Sequence, residues 1–275
     1  MALSRLELGL YALALLGWVG AALGRSEPVR YEPGPRDADT YRVVTWNVGG
    51  IGPAGPVGFA EGAIADVAAT LNALQPDLVV LQEVGGRSQL RELERALDGA
   101  WDTTIAGGSD GGRVAALGRG TLIRIALGAE GRTLGLTHAT PLGTDVYLAG
   151  LHANAFDAEQ RNREIGSAFD ALRGLPRPIP KMLLGDLNLD LDLDKRRDLF
   201  SNDAYRDVET YNWVASSFED AARGTGSTAE PDRRLDYVFL GPSLTVVAAG
   251  PWKGRRSGQM DHDPVVCDVR LRPVP

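Results

Sequence analysis

The sequence predicts an α/β protein in which two β-sheets pack face to face and helices cover their outer sides. Three observations support this prediction: short apolar runs that end at polar residues, a few segments with helical periodicity, and a hydrophobic fraction of 44% over 275 residues. This length allows one large or two small domains. Because the polar motifs described below span nearly the whole chain, we predict a single domain.

Helices are predicted where apolar residues recur at the i, i+3, i+4, i+7 spacing. These segments are 61–73, 91–97 and 158–173. Short apolar runs bounded by Gly, Pro or polar residues predict strands. We place the strands at 42–48, 78–81, 114–117, 122–127, 134–138, 146–152, 181–184, 235–240, 244–248 and 264–271. A polar stretch separates the strand at 181–184 from the strand at 235–240.

Five polar motifs end or follow these apolar runs. They are Thr45-Trp46-Asn47-Val48, Leu81-Gln82-Glu83-Val84, Gly185-Asp186-Leu187-Asn188, Arg234-Leu235-Asp236-Tyr237 and Met260-Asp261-His262-Asp263-Pro264. Each puts an acid, an amide or an imidazole at a strand end, where open α/β sheets build their sites. Oxygen-rich side chains with a histidine suit a hard divalent cation together with a phosphate ester. The motifs therefore predict a phosphodiesterase or a phosphatase.

In type and in order, the five motifs resemble those of the endonuclease/exonuclease/phosphatase superfamily. The resemblance runs from Tyr41 to Leu271, and the segments 112–117 and 151–154 fall between the motifs in the expected order. It implies a four-layer α/β sandwich of two packed mixed β-sheets flanked by helices. It also implies a metal-dependent phosphoesterase in which water attacks the phosphorus in line, without a covalent nucleophile.

The resemblance further implies metal binding at Asn47, Glu83 and Asp261, with Mg²⁺ as the expected ion and Mn²⁺ or Ca²⁺ as alternatives. A carboxylate that directly follows a buried run, as Glu83 does, is costly unless a cation or hydrogen bonds compensate it. The alternatives are a structural salt bridge for Glu83 and a turn cap for Asn47. Many members of the resembling family carry a further acid shortly after this Asn, where this chain has Gly49 and Gly50.

The resemblance also implies catalytic roles. Asp186 and Asn188 would orient and activate the water and hold a phosphate oxygen. His262 would exchange a proton with the phosphate region, Asp236 would fix its tautomer, and His152 would act on the leaving group or the phosphate. The remaining histidine, His138, matches no motif, and we predict a surface position for it.

Substrate contacts are less well marked by the sequence. The segment 252–256 is the only basic and aromatic cluster, so Trp252 and Arg255 are candidates, with a solvated loop and a half-buried Trp as the alternative. Arg161 or Arg163 could reach a phosphate from the helix after His152, unless that helix face is simply exposed. The acids Asp190, Asp192 and Asp194 are predicted to be solvated, because the Gly and terminal Glu of a calcium loop are absent.

The first residues differ in composition from the rest. Residues 8–23 are uncharged and mostly apolar, which favours a signal peptide or a membrane anchor in 1–24 over an ordinary buried helix. A linker in 25–40 and a catalytic domain in 41–275 would follow. We therefore expect a secreted, periplasmic or membrane-anchored protein. Separately, we expect the protein to be a monomer.

Net charge and cysteine content limit the possible functions. The net charge of −7 argues mildly against long phosphate contacts with nucleic acid. The single cysteine, Cys267, excludes an internal disulfide and is expected to be a small buried hydrophobe. An extracytoplasmic nuclease is the first functional hypothesis. A sphingomyelinase-like or inositol-phosphate-like esterase and a catalytically inactive, membrane-tethered binding module are the alternatives.

Overall fold

The computed structural model describes residues 31–52, 55–59, 63–106, 113–128, 132–176, 178–191, 204–258 and 260–271. The predicted signal or anchor segment 1–24, together with the acids Asp192 and Asp194, lies outside these residues. Of the helices in the described segments, none is both long and apolar enough to cross a membrane.

Strands and helices alternate along the described chain. The strands are β1 (Tyr41–Asn47), β2 (Gly49–Gly52), β3 (Gly55–Phe59), β4 (Leu78–Val84), β5 (Asp102–Ile105), β6 (Arg113–Gly118), β7 (Thr121–Arg124), β8 (Arg132–Ala139), β9 (Asp145–His152), β10 (Lys181–Asp186), β11 (Glu219–Asp220), β12 (Asp236–Leu240), β13 (Leu244–Pro251) and β14 (Val265–Leu271). The helices are α1 (Ala63–Leu74), α2 (Arg87–Ala96), α3 (Ala158–Gly174) and α4 (Ala204–Ala215).

These strands build two six-stranded mixed sheets and a hairpin. The first sheet has the order β13-β14-β1-β4-β6-β5, the second has the order β11-β12-β10-β9-β8-β7, and β2 pairs with β3. Within each sheet one central pair is parallel, β1 with β4 and β9 with β10, and the other pairs are antiparallel. The carboxyl ends of β1, β4 and β10 carry three of the five motifs, the end of β9 carries His152, and the other two motifs lie at the start of β12 and just before β14.

Three apolar layers hold the sandwich together, as the alternation of side chains along each strand requires. Val43 and Val80 of the first sheet meet Leu148 and Leu184 of the second in the inter-sheet core. The opposite face of the first sheet packs on α1 and α2, and that of the second sheet packs on α3 and α4. The predicted four-layer sandwich is confirmed. Cys267 is buried in the inter-sheet core, as predicted.

The sheets approach each other closely at Gly150. A Cβ atom at this position would lie 2.7 Å from Cγ1 of Val80 on the facing sheet. Only glycine therefore fits this point of the inter-sheet contact without a shift of its neighbours.

Some elements were not predicted. Helix α4 lies in the stretch that the sequence analysis described only as polar. Its buried positions include Asp207 and Thr210 as well as Val214, and these polar residues weaken the hydrophobic periodicity that would have predicted a helix. Strand β5 was also missed, since only Ile105 of its four residues is buried. Helix α2 begins at Arg87, four residues before the predicted start.

Candidate active site

Both sheets contribute side chains to one common edge. In each sheet the two parallel strands end there, and the antiparallel β12 and β14 begin there. The predicted residues at this edge are Asn47, Glu83, His152, Asp186, Asp236 and His262. Hydrogen bonds and ion pairs across the gap between the sheets join them, so the prediction that these strand ends meet agrees with the structure.

Asn47 links one carboxylate from each sheet. Its side-chain nitrogen lies 3.1 Å from Oε1 of Glu83 and 2.9 Å from Oδ2 of Asp186. Its side-chain oxygen accepts a hydrogen bond from the backbone N–H of Gly49 at 3.0 Å. In this orientation Asn47 donates to the acids, and a role as a metal ligand would require the opposite amide orientation. The turn-capping alternative for Asn47 agrees with the contact to Gly49.

Glu83 faces Asn47 because the backbone leaves the extended conformation. Residues 79 and 81 of β4 point toward α1 and α2, and simple alternation would send Glu83 the same way. Its φ of 60° lies in the left-handed region and turns the side chain toward the site. Burial raises the pKa of the Glu83 carboxyl, and the hydrogen bond from Asn47 and the charge of His262 oppose this rise.

His262 and Asp236 form an oriented pair. Nδ1 of His262 lies 2.8 Å from Oδ2 of the fully buried Asp236, which also accepts a hydrogen bond from the Thr228 hydroxyl at 2.6 Å. A carboxylate only accepts, so Nδ1 carries the proton and Nε2 faces the site. The Trp46 indole donates to the His262 carbonyl at 3.0 Å and fixes the backbone.

Asp186 lies between the two predicted catalytic histidines. Its Oδ2 is 3.7 Å from Nε2 of His152 and 3.8 Å from Nε2 of His262. Burial is the main cause that raises the pKa of Asp186 to about 7, with Asp236 and Glu83 adding to it and His262 opposing it. Burial lowers the pKa of His262, but the charges of Asp236 and Asp186 outweigh this and raise it to about 10. The two carboxylates therefore favour the cationic form of His262.

The loop after β10 holds Asn188 against the end of β9. The backbone N–H of Asn188 donates to Oδ1 of Asp186 at 3.0 Å, and its side chain donates to the Ala153 carbonyl at 3.1 Å. Asn188 has a φ of 50°, and Gly185 has a φ of 142°. A Cβ at Gly185 would lie 2.0 Å from the Leu151 carbonyl oxygen, so this position requires glycine.

Comparison with known proteins agrees with this geometry. The family model described as Endonuclease/Exonuclease/phosphatase family matches residues 44–256. The chain belongs to this family. The chain is therefore a phosphoester hydrolase of the endonuclease/exonuclease/phosphatase family. Among proteins with curated functions, no significant match was found.

Solved structures of the family share the fold. An endonuclease/exonuclease/phosphatase from Beutenbergia cavernae is 24% identical, with a TM-score of 0.61 over 86% of this chain and 73% of that chain. An AP endonuclease from Archaeoglobus fulgidus is 15% identical, with a TM-score of 0.63 over 82% of this chain and 98% of that chain. A mannosyl-6-phosphatase from Bacteroides thetaiotaomicron is 17% identical, with a TM-score of 0.63 over 84% of this chain and 100% of that chain.

The donor set at this edge fits a divalent cation, which enzymes of this family generally require. Glu83 and Asp186 share the Asn47 amide, and burial raises the pKa of both carboxyls. A partly buried carboxylate and a fully buried one that share a single amide repel each other, and a divalent cation would relieve that repulsion. Asp261 lies beside them, with its Oδ1 3.9 Å from Nε2 of His262 and its side chain 36% exposed.

Arg161 does not reach the site, and its predicted role as a phosphate contact is wrong. Its side chain is fully buried between α3 and α4, where Nη2 lies 2.8 Å from Oδ1 of Asp207. Nη1 donates to the Asn154 carbonyl at 2.7 Å, in the loop that follows β9. An arginine so enclosed positions the loop that follows β9.

The predicted stacking role of Trp252 also conflicts with its surroundings. Its indole packs in the core between the first sheet and its helices, with 8% of the residue exposed, and donates to Glu32 at 3.0 Å. The guanidinium carbon of Arg255 lies 3.7 Å from the ring centroid. Arg255 is exposed, and its contact with a substrate stays a prediction.

Two further predictions of exposure are wrong. His138 is fully buried, and its ring lies 2.6 Å from the Tyr41 hydroxyl and 3.0 Å from the Arg119 carbonyl. Asp190 is also buried, at 3.1 Å from Arg233. In both cases a polar partner compensates the burial of a polar side chain.

Sequence reasoning also missed Thr228. Besides donating to Asp236, its hydroxyl accepts hydrogen bonds from the backbone N–H groups of Leu235 and Asp236 at 3.0 and 3.1 Å. Thr228 lies in a Gly-Ser-Thr-Ala stretch that reads as an ordinary loop. No local pattern marks this residue.

Proposed function

We propose that the protein is a Mg²⁺-dependent nuclease that acts outside the cytoplasm. The main supporting observation is that Asn47 joins the partly buried Glu83 carboxylate of one sheet to the buried Asp186 carboxylate of the other, beside His262. When bound, the cation would polarise the phosphoryl group and stabilise the leaving oxygen. Glu83 is its principal expected ligand, with Asp261 next to it and Asn47 in the reoriented amide conformation.

The side chains of the site have distinct roles in this proposal. Asp186, with a pKa near neutrality, accepts a proton from the attacking water. His262 donates from Nε2 to a phosphoryl oxygen, because Asp236 holds Nδ1. His152, 3.7 Å from both Glu83 and Asp186, faces the same space and contacts the phosphate or the leaving group.

Phe156 favours nucleic acid as the substrate. It is 65% exposed on the loop that follows His152, and a turn held by the Asn154 side chain supports it. An exposed aromatic ring on the loop that follows a catalytic strand is a residue type on which a base can stack. The likeness to the Archaeoglobus AP endonuclease supports the same proposal at the level of fold.

A sugar or lipid phosphate is the second candidate. Lys253 and Arg256 pair with Asp263, and Arg256 also pairs with Glu230, so these two cations are compensated within the protein and offer little charge to a long polyanion. The net charge of −7 and the likeness to a mannosyl-6-phosphatase point the same way.

A substrate panel tests the proposal. We would assay the full-length protein on double-stranded DNA, single-stranded RNA, sphingomyelin vesicles and sugar or inositol phosphates, with Mg²⁺ or with EDTA. Asp186→Asn is the inactive control. We expect cleavage of nucleic acid that EDTA and Asp186→Asn both abolish. Turnover of lipid or sugar phosphate alone would favour the second candidate, and EDTA-resistant turnover would contradict the metal requirement.

Location requires a separate test. The apolar segment 8–23 supports export, either with cleavage after the signal or with retention as an anchor. We expect a tagged protein expressed in a bacterial host to appear in the periplasmic or membrane fraction. An intact N-terminus in the soluble cytoplasmic fraction would contradict export.

A further inference from the structure

Arg132 lies in register with the catalytic residues of the second sheet. It is the cross-strand partner of His152 in the antiparallel pair of β8 and β9. His152 in turn pairs with Asp186 on β10. Antiparallel partners project from the same face of a sheet with Cβ atoms about 4.5–5.5 Å apart. The side chains of Arg132 and His152 are therefore direct neighbours at the catalytic edge.

The alternation along β8 fixes the direction of the Arg132 side chain. Leu134 and Leu136 lie in the inter-sheet core, and residue 132 belongs to the same alternating series. The core ends at the catalytic edge, so Arg132 is only half-buried where the two leucines are fully buried. Its guanidinium extends from the apolar core into the space that the two sheets share at the site.

The charge of Arg132 acts on the site but has no fixed partner there. Among the described residues, no hydrogen bond or ion pair engages its side chain. Its positive charge nevertheless favours the ionised form of Glu83 and so lowers the pKa of that carboxyl, against the larger effect of burial. A guanidinium presents a planar fork of donors that matches the oxygens of a phosphate group.

We propose that Arg132 binds a non-bridging oxygen of the scissile phosphate, next to His152. This inference rests on the proposed function and assigns a phosphate contact to β8 in place of Arg161. The Arg132 guanidinium holds the phosphate in position for attack. It also stabilises the charge that develops on the phosphate oxygens as water adds and the P–O bond breaks. The leaving oxygen departs on the side opposite to the water.

Equilibrium binding of inorganic phosphate tests this contact independently of turnover. We would titrate phosphate by calorimetry, with Mg²⁺ present, into the full-length protein and into Arg132→Gln, Arg132→Lys and Arg124→Gln. Arg124 is an exposed arginine of the neighbouring strand β7 and provides the matched control. We expect Arg132→Gln to weaken phosphate binding at least tenfold and Arg124→Gln to leave it within twofold.

Kinetics separates a phosphate contact from a structural role. Arg132→Gln should lower kcat/KM by about 10²–10³-fold, as loss of one donor to a developing charge does. Arg132→Lys retains the charge without the fork, so it should fold like the wild type and show an intermediate loss. Wild-type phosphate affinity in a folded Arg132→Lys and Arg132→Gln, or no phosphate binding by the wild type, would overturn the proposal.

The two proposals fail in different ways. Arg132-dependent phosphate binding in a protein that hydrolyses no phosphoester would refute the proposed function and leave the Arg132 contact in place. Efficient hydrolysis with unchanged phosphate affinity in the Arg132 variants would refute the contact and leave the proposed function in place.

Discussion

Glu83 combines an unfavourable backbone conformation with an unfavourable charge at a single residue. Its φ of 60° is uncommon outside glycine, and burial raises the pKa of its carboxyl. Neither the backbone conformation nor the charge of Glu83 stabilises the metal-free protein. Such strain is found at sites where the arrangement of a side chain serves function.

Glu83→Gln is expected to stabilise the metal-free protein and to inactivate the enzyme. A carboxyl whose folded pKa is raised destabilises the protein at every pH above its unfolded value of about 4.3. We therefore expect a higher midpoint of thermal unfolding at pH 8 in EDTA, with kcat/KM lowered by at least about 100-fold.

The pH dependence provides the check on this prediction. At pH 4 the wild-type carboxyl is protonated, so the gain in the unfolding midpoint should shrink. Glu92→Gln, at an exposed position on α2, should leave both the midpoint and the activity unchanged. A midpoint that falls in Glu83→Gln at pH 8 would show that the carboxylate is stabilising.

Between elements, His138 connects β8 of the second sheet to β1 of the first. The Arg119 carbonyl can only accept, so Nε2 of His138 carries the proton and Nδ1 accepts from the Tyr41 hydroxyl. Burial lowers the pKa of His138, against the hydrogen bond to Arg119. The neutral imidazole is therefore the form that the sandwich requires.

His138→Gln should make the free energy of unfolding less dependent on pH below about pH 6.5. Because the folded pKa lies below the unfolded value of about 6.5, the neutral histidine stabilises the fold fully above pH 6.5. This contribution is lost as the pH falls toward the folded pKa, with a slope of up to about 1.4 kcal/mol per pH unit. Urea unfolding at pH 5, 6 and 7 measures it. Parallel pH profiles for variant and wild type would contradict the assignment.

Between α3 and α4, the buried pair Arg161–Asp207 adds to the apolar contact that Phe169 makes with Trp213. Arg161→Ala removes the cation that compensates the buried Asp207 carboxylate and should lower the free energy of unfolding by about 3–5 kcal/mol. Arg163→Ala, two residues along α3 with a side chain 51% exposed, should change it by less than about 0.5 kcal/mol. Chemical denaturation measures both. Equal effects would mean that the buried pair has no special role.

At the scale of the whole molecule, the site depends on the distance between the two sheets. Gly150→Ala places a methyl group against Val80 and should cost about 1–3 kcal/mol. Gly174→Ala, where no atom lies within 4 Å of the new methyl group, should be neutral or slightly stabilising. Thermal unfolding compares the two, and an unchanged midpoint in Gly150→Ala would show that the sheets adapt without cost.

The sequence predicted the layers and the chemistry of the edge because both depend on local patterns. Apolar alternation marks the strands, and polar residues at their ends mark the site. Burial of His138, Arg161 and Trp252 could not be predicted in this way. Their partners, Tyr41, Asp207 and Glu32, lie 97, 46 and 220 residues away in the chain. Only the tertiary fold shows that these polar atoms are compensated.

The strand that ends the described chain, β14, pairs with β1 in the interior of the first sheet, and the hydrogen bond from Trp46 to His262 spans 216 residues. During synthesis on the ribosome, Asn47 and Glu83 emerge long before His262 and the strand that supports it. A nascent or prematurely terminated chain therefore lacks a catalytic histidine and an internal strand together. Hydrolytic activity begins only once translation has reached the end of the domain.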